Sequence, residues 1–194
     1  MKIFPTALLA LIALPAIASA SSLTYNVQFD TSGLSAGGTY FLDFQFIGSN
    51  GNTVDLGDFS YGGGSGPAGP IEMDTITNFF NEVTDPFTAG ATLDFQVATT
   101  NIGPAVGGFP DELSFFILDS SLNPLTTPDP ADAYFYFDVN GGIPDIQTFG
   151  GSGVGAPSIT SAAAPPGVPE PGTMLTMAMG LGLAALKRWP RRKR

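Results

Sequence analysis

Two stretches near the start of the sequence alternate strictly between apolar and polar side chains. In LTYNVQFD, residues 23–30, the apolar residues occupy the odd positions and the polar residues the even ones. In TYFLDFQFI, residues 39–47, Tyr40, Leu42, Phe44 and Phe46 share one side of the alternation. Because successive side chains of a β-strand point to opposite faces, each stretch is predicted to be a half-buried strand.

Short apolar runs separated by turn residues continue through the middle of the chain. Further strands are predicted at residues 53–60, 71–77, 92–98, 113–118 and 133–139. The 25 glycines and 17 prolines break the sequence between such runs. Seven short strands in this arrangement predict an all-β protein with a single β-sandwich or jelly-roll-like domain over residues 21–149. The exception is TITNFFNEVT, residues 75–84, which is predicted to form one or two helical turns.

The tetrapeptide LDFQ occurs twice, at residues 42–45 and 93–96. Each copy places Leu and Phe on one face of a strand, with Asp and Gln on the other. We interpret the match as shared strand patterning, because a repeat fold needs a repeating period and not two isolated matches.

Charge is segregated along the chain. The seventeen acidic residues all lie between Asp30 and Glu170, whereas the seven basic residues are Lys2 and six near the C-terminus. Nucleic acid is therefore not an expected partner, because phosphate binding depends on Lys and Arg. Repulsion among the carboxylates is expected to raise their pKa values on folding, so stability should increase as the pH falls from 7 to about 5.

The sequence contains no Cys and no His. Disulfides, thiolate chemistry, His general bases and the usual zinc and copper sites are thereby excluded. A glycosidase could work with two carboxylates, but the spacing of the acids singles out no pair. We therefore predict no catalytic residue, no metal ligand and no cofactor. The Asp30-Thr31-Ser32 and Asp138-Val139-Asn140 stretches are interpreted as turns, not as a protease motif and a calcium loop.

The first twenty residues have the three-part pattern of a secretory signal peptide. Lys2 precedes an apolar stretch, and small residues follow at Ala18 and Ala20. Cleavage is predicted between Ala20 and Ser21, which implies Sec-type export machinery and signal peptidase as partners.

The C-terminal part combines three unlike segments. Residues 150–167 are mostly small, with almost nothing to bury, and are predicted to be a flexible linker. Residues 173–186 are uncharged and predicted to be a short transmembrane helix, spanning about 21 Å. Residues 187–194 form a basic tail, which should stay cytoplasmic while the domain lies outside. The basic residues of this tail are Lys187, Arg188, Arg191, Arg192, Lys193 and Arg194.

The order Pro169-Glu170-Pro171, apolar segment and basic cluster resembles the PEP-CTERM protein-sorting signal, over residues 168–194. The resemblance implies that exosortase, a membrane-embedded transpeptidase-like enzyme, recognises the tripeptide and that the basic cluster retains the chain before processing. The prolines favour an extended strip that offers one carboxylate to the enzyme. Residues 24–46 also resemble the opening of a β-rich group of exported PEP-CTERM proteins without an established activity.

Three functions are consistent with these features. The favoured one is a noncatalytic cell-surface or matrix protein, processed by exosortase and associated with exopolysaccharide. The alternative is a lectin-like module, assisted by calcium or not, with an aromatic platform formed by Tyr134, Phe135, Tyr136 and Phe137. The least favoured is a glycoside hydrolase that uses carboxylates alone. All three place the mature domain at the cell surface or outside the cell.

Overall fold

The computed structural model describes residues 21–101, 109–139 and 144–162. The predicted signal peptide and sorting segment, residues 1–20 and 168–194, lie outside this part. The described residues form ten strands: β1 (Ser21–Asp30), β2 (Thr39–Ile47), β3 (Thr53–Ser60), β4 (Ile71–Asp74), β5 (Phe80–Thr88), β6 (Thr92–Asn101), β7 (Asp111–Leu118), β8 (Phe135–Val139), β9 (Asp145–Thr148) and β10 (Ser158–Ser161).

The strands form two antiparallel sheets of five strands each. Sheet 1 has the order β10-β1-β6-β3-β4, and sheet 2 has the order β5-β2-β7-β8-β9. The predicted all-β fold and sandwich architecture are confirmed. In the described part of the chain, no helix is both long and apolar enough to cross a membrane.

The core lies between the two sheets and is rich in phenylalanine. Both LDFQ copies contribute to it from opposite sides, since Leu42 and Phe44 belong to sheet 2 whereas Leu93 and Phe95 belong to sheet 1. The rings of Phe44 and Phe95 meet edge to face, with centroids 5.5 Å apart. This geometry is favourable for aromatic pairs and contributes about 0.5–1.5 kcal/mol beyond area burial.

The prediction of helical turns at residues 75–84 is wrong, since a turn there leads into strand β5. Asp74 does accept hydrogen bonds from the backbone N–H groups of Ile76 and Thr77, at 2.9 and 2.7 Å, as a helix cap would. The chain then turns into β5, which pairs along its whole length with β2. Cross-strand pairing with β2 therefore overrides the local helical signal, which depended only on neighbouring residues.

The predicted linker, residues 150–167, is also wrong over its first thirteen residues. Val154 lies in the core with 4 % exposure, and Gly151 pairs with it in a tight turn. β10 pairs with β1, and the Ala162 N–H extends this ladder by donating to the Thr24 carbonyl at 2.7 Å. Small residues suggested a linker, but backbone pairing does not require large side chains.

The start of β1 and the end of β10 lie at the same end of the sandwich. Antiparallel pairing aligns the start of β1 with the end of β10, because Tyr25 is opposite Ser161. The loops after β2 and β4 cross between the sheets at this end, which we call the exit end. The turn after β7, with Leu122, lies at the opposite end.

Candidate functional site

The residues predicted for processing lie largely outside the described part of the chain. This applies to Ala18 and Ala20, to Pro169, Glu170 and Pro171, and to the whole basic cluster. Ser21, on the mature side of the predicted cleavage, is the first residue of β1.

The predicted aromatic platform is wrong for three of its four residues. Tyr134, Phe135 and Phe137 have 0 % exposure and pack in the core. The Tyr134 hydroxyl donates to the Gly151 carbonyl at 3.1 Å, and burial together with the charge of Asp132 raises the pKa of Tyr134 to about 12. The four consecutive aromatic residues were expected to form a platform for a ligand, but three of them belong to the core.

Tyr136 is the remaining member and is half-buried on the outer face of sheet 2. It packs against a small cluster that includes Phe116 and Leu118. Its hydroxyl donates to Asp129 Oδ2 at 2.7 Å, and burial, followed by this hydrogen bond and the Asp129 charge, raises its pKa. Tyr136 is therefore committed to packing within the domain.

Exposed carboxylates close several turns. Asp30 accepts from the Ser32 hydroxyl at 2.6 Å and from the Ser32 N–H at 3.0 Å, which confirms the predicted turn after β1. Asp119 accepts from the N–H groups of Ser121 and Asn123. These bonds stabilise the charged form and lower the pKa of both carboxyls, chiefly through the Ser32 hydroxyl and the Asn123 N–H. The pKa of Asp74 is lowered in the same way, chiefly by the hydrogen bond from the backbone N–H of Thr77.

Asp111 is fully buried at the exit end and organises the loop between β2 and β3. Its Oδ1 atom accepts from Ser49 N at 2.9 Å, Asn50 N at 3.0 Å and Asn50 Nδ2 at 2.8 Å. Its Oδ2 atom accepts from Thr75 Oγ1 at 2.6 Å, Asn52 N at 3.2 Å and Asn52 Nδ2 at 3.1 Å. Burial alone would raise the pKa of Asp111, but these hydrogen bonds outweigh it and the pKa is lowered.

Glycine is required beside this carboxylate. A Cβ atom added to Gly48 would lie only 1.9 Å from Asp111 Oδ1, so any larger residue would displace the group that the loop surrounds. The sequence GSN at residues 48–50 carries no pattern that reveals the distant acid.

A row of acids crosses the outer face of sheet 2 near the exit end. Strand pairing places Glu112 opposite Asp138, and Asp138 opposite Asp145. Burial, followed by the Glu112 charge, a hydrogen bond with Glu112 and the Asp145 charge, raises the pKa of Asp138 to about 6. Its Oδ1 atom is buried without a hydrogen-bond partner. This row is not a metal site: across residues 21–101, 109–139 and 144–162, no group of three or more Asp, Glu, His or Cys side chains has an arrangement that could hold a metal ion.

We expect Asp138→Asn to stabilise the domain at pH 7, because it removes a half-buried charge that lies beside Glu112 and Asp145. Solvent reaches part of this side chain and screens the charges, which limits the gain to on the order of 1 kcal/mol. A raised folded-state pKa means that ionisation costs stability above about pH 6, and that this cost disappears as the pH falls towards the unfolded value. The wild-type chain should therefore gain stability between pH 7 and 5, and the variant should gain much less.

Thermal melting at pH 5 and 7 measures both effects. This interpretation replaces general repulsion, because the pKa values of Asp30, Asp74, Asp111 and Asp119 are lowered and not raised. An equal gain in wild type and Asp138→Asn would assign the effect to general repulsion after all.

The outer face of sheet 1 is polar. A shallow depression of about 370 Å³ crosses β10, β1 and β6 on this face. Its lining includes the amides of Asn26, Gln28 and Gln96 and the hydroxyls of Ser158 and Thr160. Asp94 borders it and accepts a hydrogen bond from Gln28 at 2.7 Å.

The comparisons with known proteins concern the C-terminal part. Residues 167–193 match the family model of the PEP-CTERM protein-sorting motif. No curated protein and no solved structure matches the chain.

The chain is thus an exported protein with a C-terminal sorting signal. The signal is the PEP-CTERM motif, which directs the chain to exosortase and to the cell surface through a membrane-anchored intermediate.

Proposed function

We propose that the domain is a noncatalytic cell-surface or matrix protein that resides among exopolysaccharide. The observation that carries this proposal is that several carboxylates accept hydrogen bonds that hold turns and loops of the domain together. Without His or Cys, catalysis would depend on them, yet Asp30, Asp74 and Asp119 close turns and Asp111 organises a buried loop. Each of these groups has a structural task.

Among the carboxyls of the described residues, Asp138 has a raised pKa, and its position gives little support to the hydrolase alternative. Asp138 and Glu112 are direct cross-strand partners on the outer face of sheet 2. A glycosidase needs its two carboxyls on either side of a scissile bond, about 5 Å or more apart. Glu112 and Asp138 lie side by side on adjacent strands, and Asp138 Oδ1 is buried, so the two carboxyls do not flank a site that a sugar could enter.

The polar face of sheet 1 supports the association with polysaccharide. Its amides and hydroxyls can both donate and accept, which suits a polymer covered with hydroxyl groups. The described part of the chain has acids but no Lys or Arg, so a neutral polysaccharide is favoured over an anionic one. If the domain is lectin-like, we therefore propose Asn26 and Gln96 as its binding residues, in place of the buried aromatic residues.

We expect Asn26→Ala combined with Gln96→Ala to weaken binding of the mature chain to neutral exopolysaccharide about tenfold, because about 1.4 kcal/mol of hydrogen bonding is lost. Gln45→Ala is the matched control, since Gln45 holds the same position in the other LDFQ copy on the outer face of sheet 2. A polysaccharide array measures binding, and assay of released reducing ends on the same samples should show no turnover.

Equal weakening by Gln45→Ala, or no binding by the wild-type chain, would refute the polysaccharide part of the proposal. Release of reducing ends that Asp138→Asn abolishes would refute the noncatalytic part.

A further inference from the structure

Large apolar side chains are exposed together at the exit end of the sandwich. Ile76, Phe79 and Phe109 lie in its loops with 68, 64 and 79 % of their surface exposed. Next to them, Ile47 and Phe80 form a cross-strand pair on the outer face of sheet 2. Exposed apolar groups clustered in this way mark contact with a protein or a membrane. We call these five residues the apolar patch.

Hydrogen bonds to the backbone carbonyls of Phe79 and Phe109 hold the patch in place. Gly48 N donates to the Phe79 carbonyl at 2.9 Å, and Asn50 Nδ2 donates to the Phe109 carbonyl at 3.0 Å. Asn50 is in turn bound to buried Asp111. A groove of about 300 Å³ runs between Phe79 and Phe109, with Ile47 and Pro110 in its walls. The exposed rings therefore stand on a loop that is organised from within the domain.

The covalent connection to the membrane starts at the same end. The described chain finishes at Ala162, whose N–H is bonded to Thr24 beside the start of β1. Only residues 163–172 separate it from the apolar segment of the sorting motif. Ten residues reach about 36 Å at full extension. In the anchored intermediate, chain length alone keeps the exit end within that distance of the bilayer.

We propose that Ile76, Phe79 and Phe109 insert into the boundary between headgroups and acyl chains while the chain is anchored. Phenylalanine and large aliphatic side chains are the groups that interfacial segments bury at this boundary. The short tether makes the contact intramolecular, which raises the effective concentration of the membrane surface. The inference rests on the anchored intermediate that the sorting motif implies and is independent of any polysaccharide.

The negative charge near the exit end favours lipids without a net charge over anionic lipids. Asp74 is bonded to the Ile76 N–H and Glu112 is opposite Ile47, so both lie beside the patch. Asp138 and Asp145 follow on the next two strands, and the described part of the chain contains no Lys or Arg. Anionic lipid would repel these carboxylates, so the surface is one of zwitterionic headgroups. Three inserted side chains without a second attachment give only weak binding, so the domain leaves the membrane when exosortase cuts the tether.

The experiment uses the chain from Ser21 to Arg194 in vesicles of phosphatidylcholine with brominated acyl chains, which quench nearby indoles. Trp189→Phe removes the native tryptophan, and Phe79→Trp places one in the patch. Leu122→Trp is the matched control, because Leu122 is 56 % exposed at the opposite end. We expect quenching at least twofold stronger for Phe79→Trp, and a loss of this difference with anionic lipid.

Thermal melting verifies that both variants fold. The proposal is overturned by equal quenching at the two positions, by a difference that anionic lipid strengthens, or by chains that do not float with the vesicles. A second copy of the chain is the competing occupant. A dimer of the processed chain in sedimentation experiments, abolished by Ile76→Ser with Phe79→Ser, would assign the patch to self-association and refute the membrane contact.

Discussion

Asp111→Ala is expected to lower the free energy of unfolding by about 3–5 kcal/mol, because a buried carboxylate that accepts many hydrogen bonds is removed while its donors on Asn52 and Thr75 stay buried. The N–H groups of Ser49, Asn50 and Asn52 would lose their acceptor, together with the Thr75 hydroxyl. The loops after β2 and β4 would then lose their common attachment. Denaturant unfolding of the chain from Ser21 to Ala162 measures the loss.

Asp119→Ala is the matched control. Asp119 also accepts from two backbone N–H groups, but it is exposed, so water can replace the carboxylate. Its loss should be clearly smaller than that of Asp111→Ala. Similar losses for the two variants would show that burial does not determine the importance of Asp111.

The same residue should dominate the acid side of the stability profile. Because the pKa of Asp111 is lowered on folding, its contribution is fully present above the unfolded value of about 4 and disappears as the pH falls through the folded value. Asp138 acts in the opposite direction between pH 7 and 5. A maximum of stability near pH 5 follows, and Asp111→Asn should remove the steep decrease below it.

Truncation after Phe149 is expected to destabilise the domain by at least about 3 kcal/mol, because a core side chain, a buried hydrogen bond and an edge strand are lost together. Val154 leaves the core, the Tyr134 hydroxyl loses the Gly151 carbonyl, and β1 loses its pairing with β10. Thermal melting of chains ending at Phe149, Ala162 and Gly167 tests this. The last two should melt alike.

If the chain that ends at Phe149 melts at the same temperature as the two longer ones, then residues 150–162 contribute nothing to the fold. Substitution of Val154 by Ala offers an independent test of the core contact, with an expected loss of about 1–2 kcal/mol from the removed methyl groups.

Alternation along single strands was readable in the sequence because its cause is local. A half-buried strand needs apolar residues at every second position, so the predicted bounds of β2 and β3 agree with the structure. The sorting motif was readable for a similar reason, since it is one contiguous segment, residues 167–193, that is recognised from the order of its residues and not from the fold of the domain.

Sequence alone did not reveal the features that depend on distant partners. β5 and β10 were missed because their pairing with β2 and β1 is a property of the backbone, and Glu82, Pro86 and Ser158 carry no strand signal. Asp111 lies 59–62 residues from the Ser49–Asn52 donors, so no local pattern could identify it.

The charges show the same division. Composition determined that the domain is acidic and lacks internal ion pairs, and from this a general repulsion was expected. Only the tertiary structure decided which carboxylates accept hydrogen bonds and which one meets other acids, because a carboxyl pKa depends on groups within a few ångströms. The sequence therefore determined the kind of fold and the destination of the chain, whereas the tertiary structure decided the role of each acid and the position of the exposed aromatic residues.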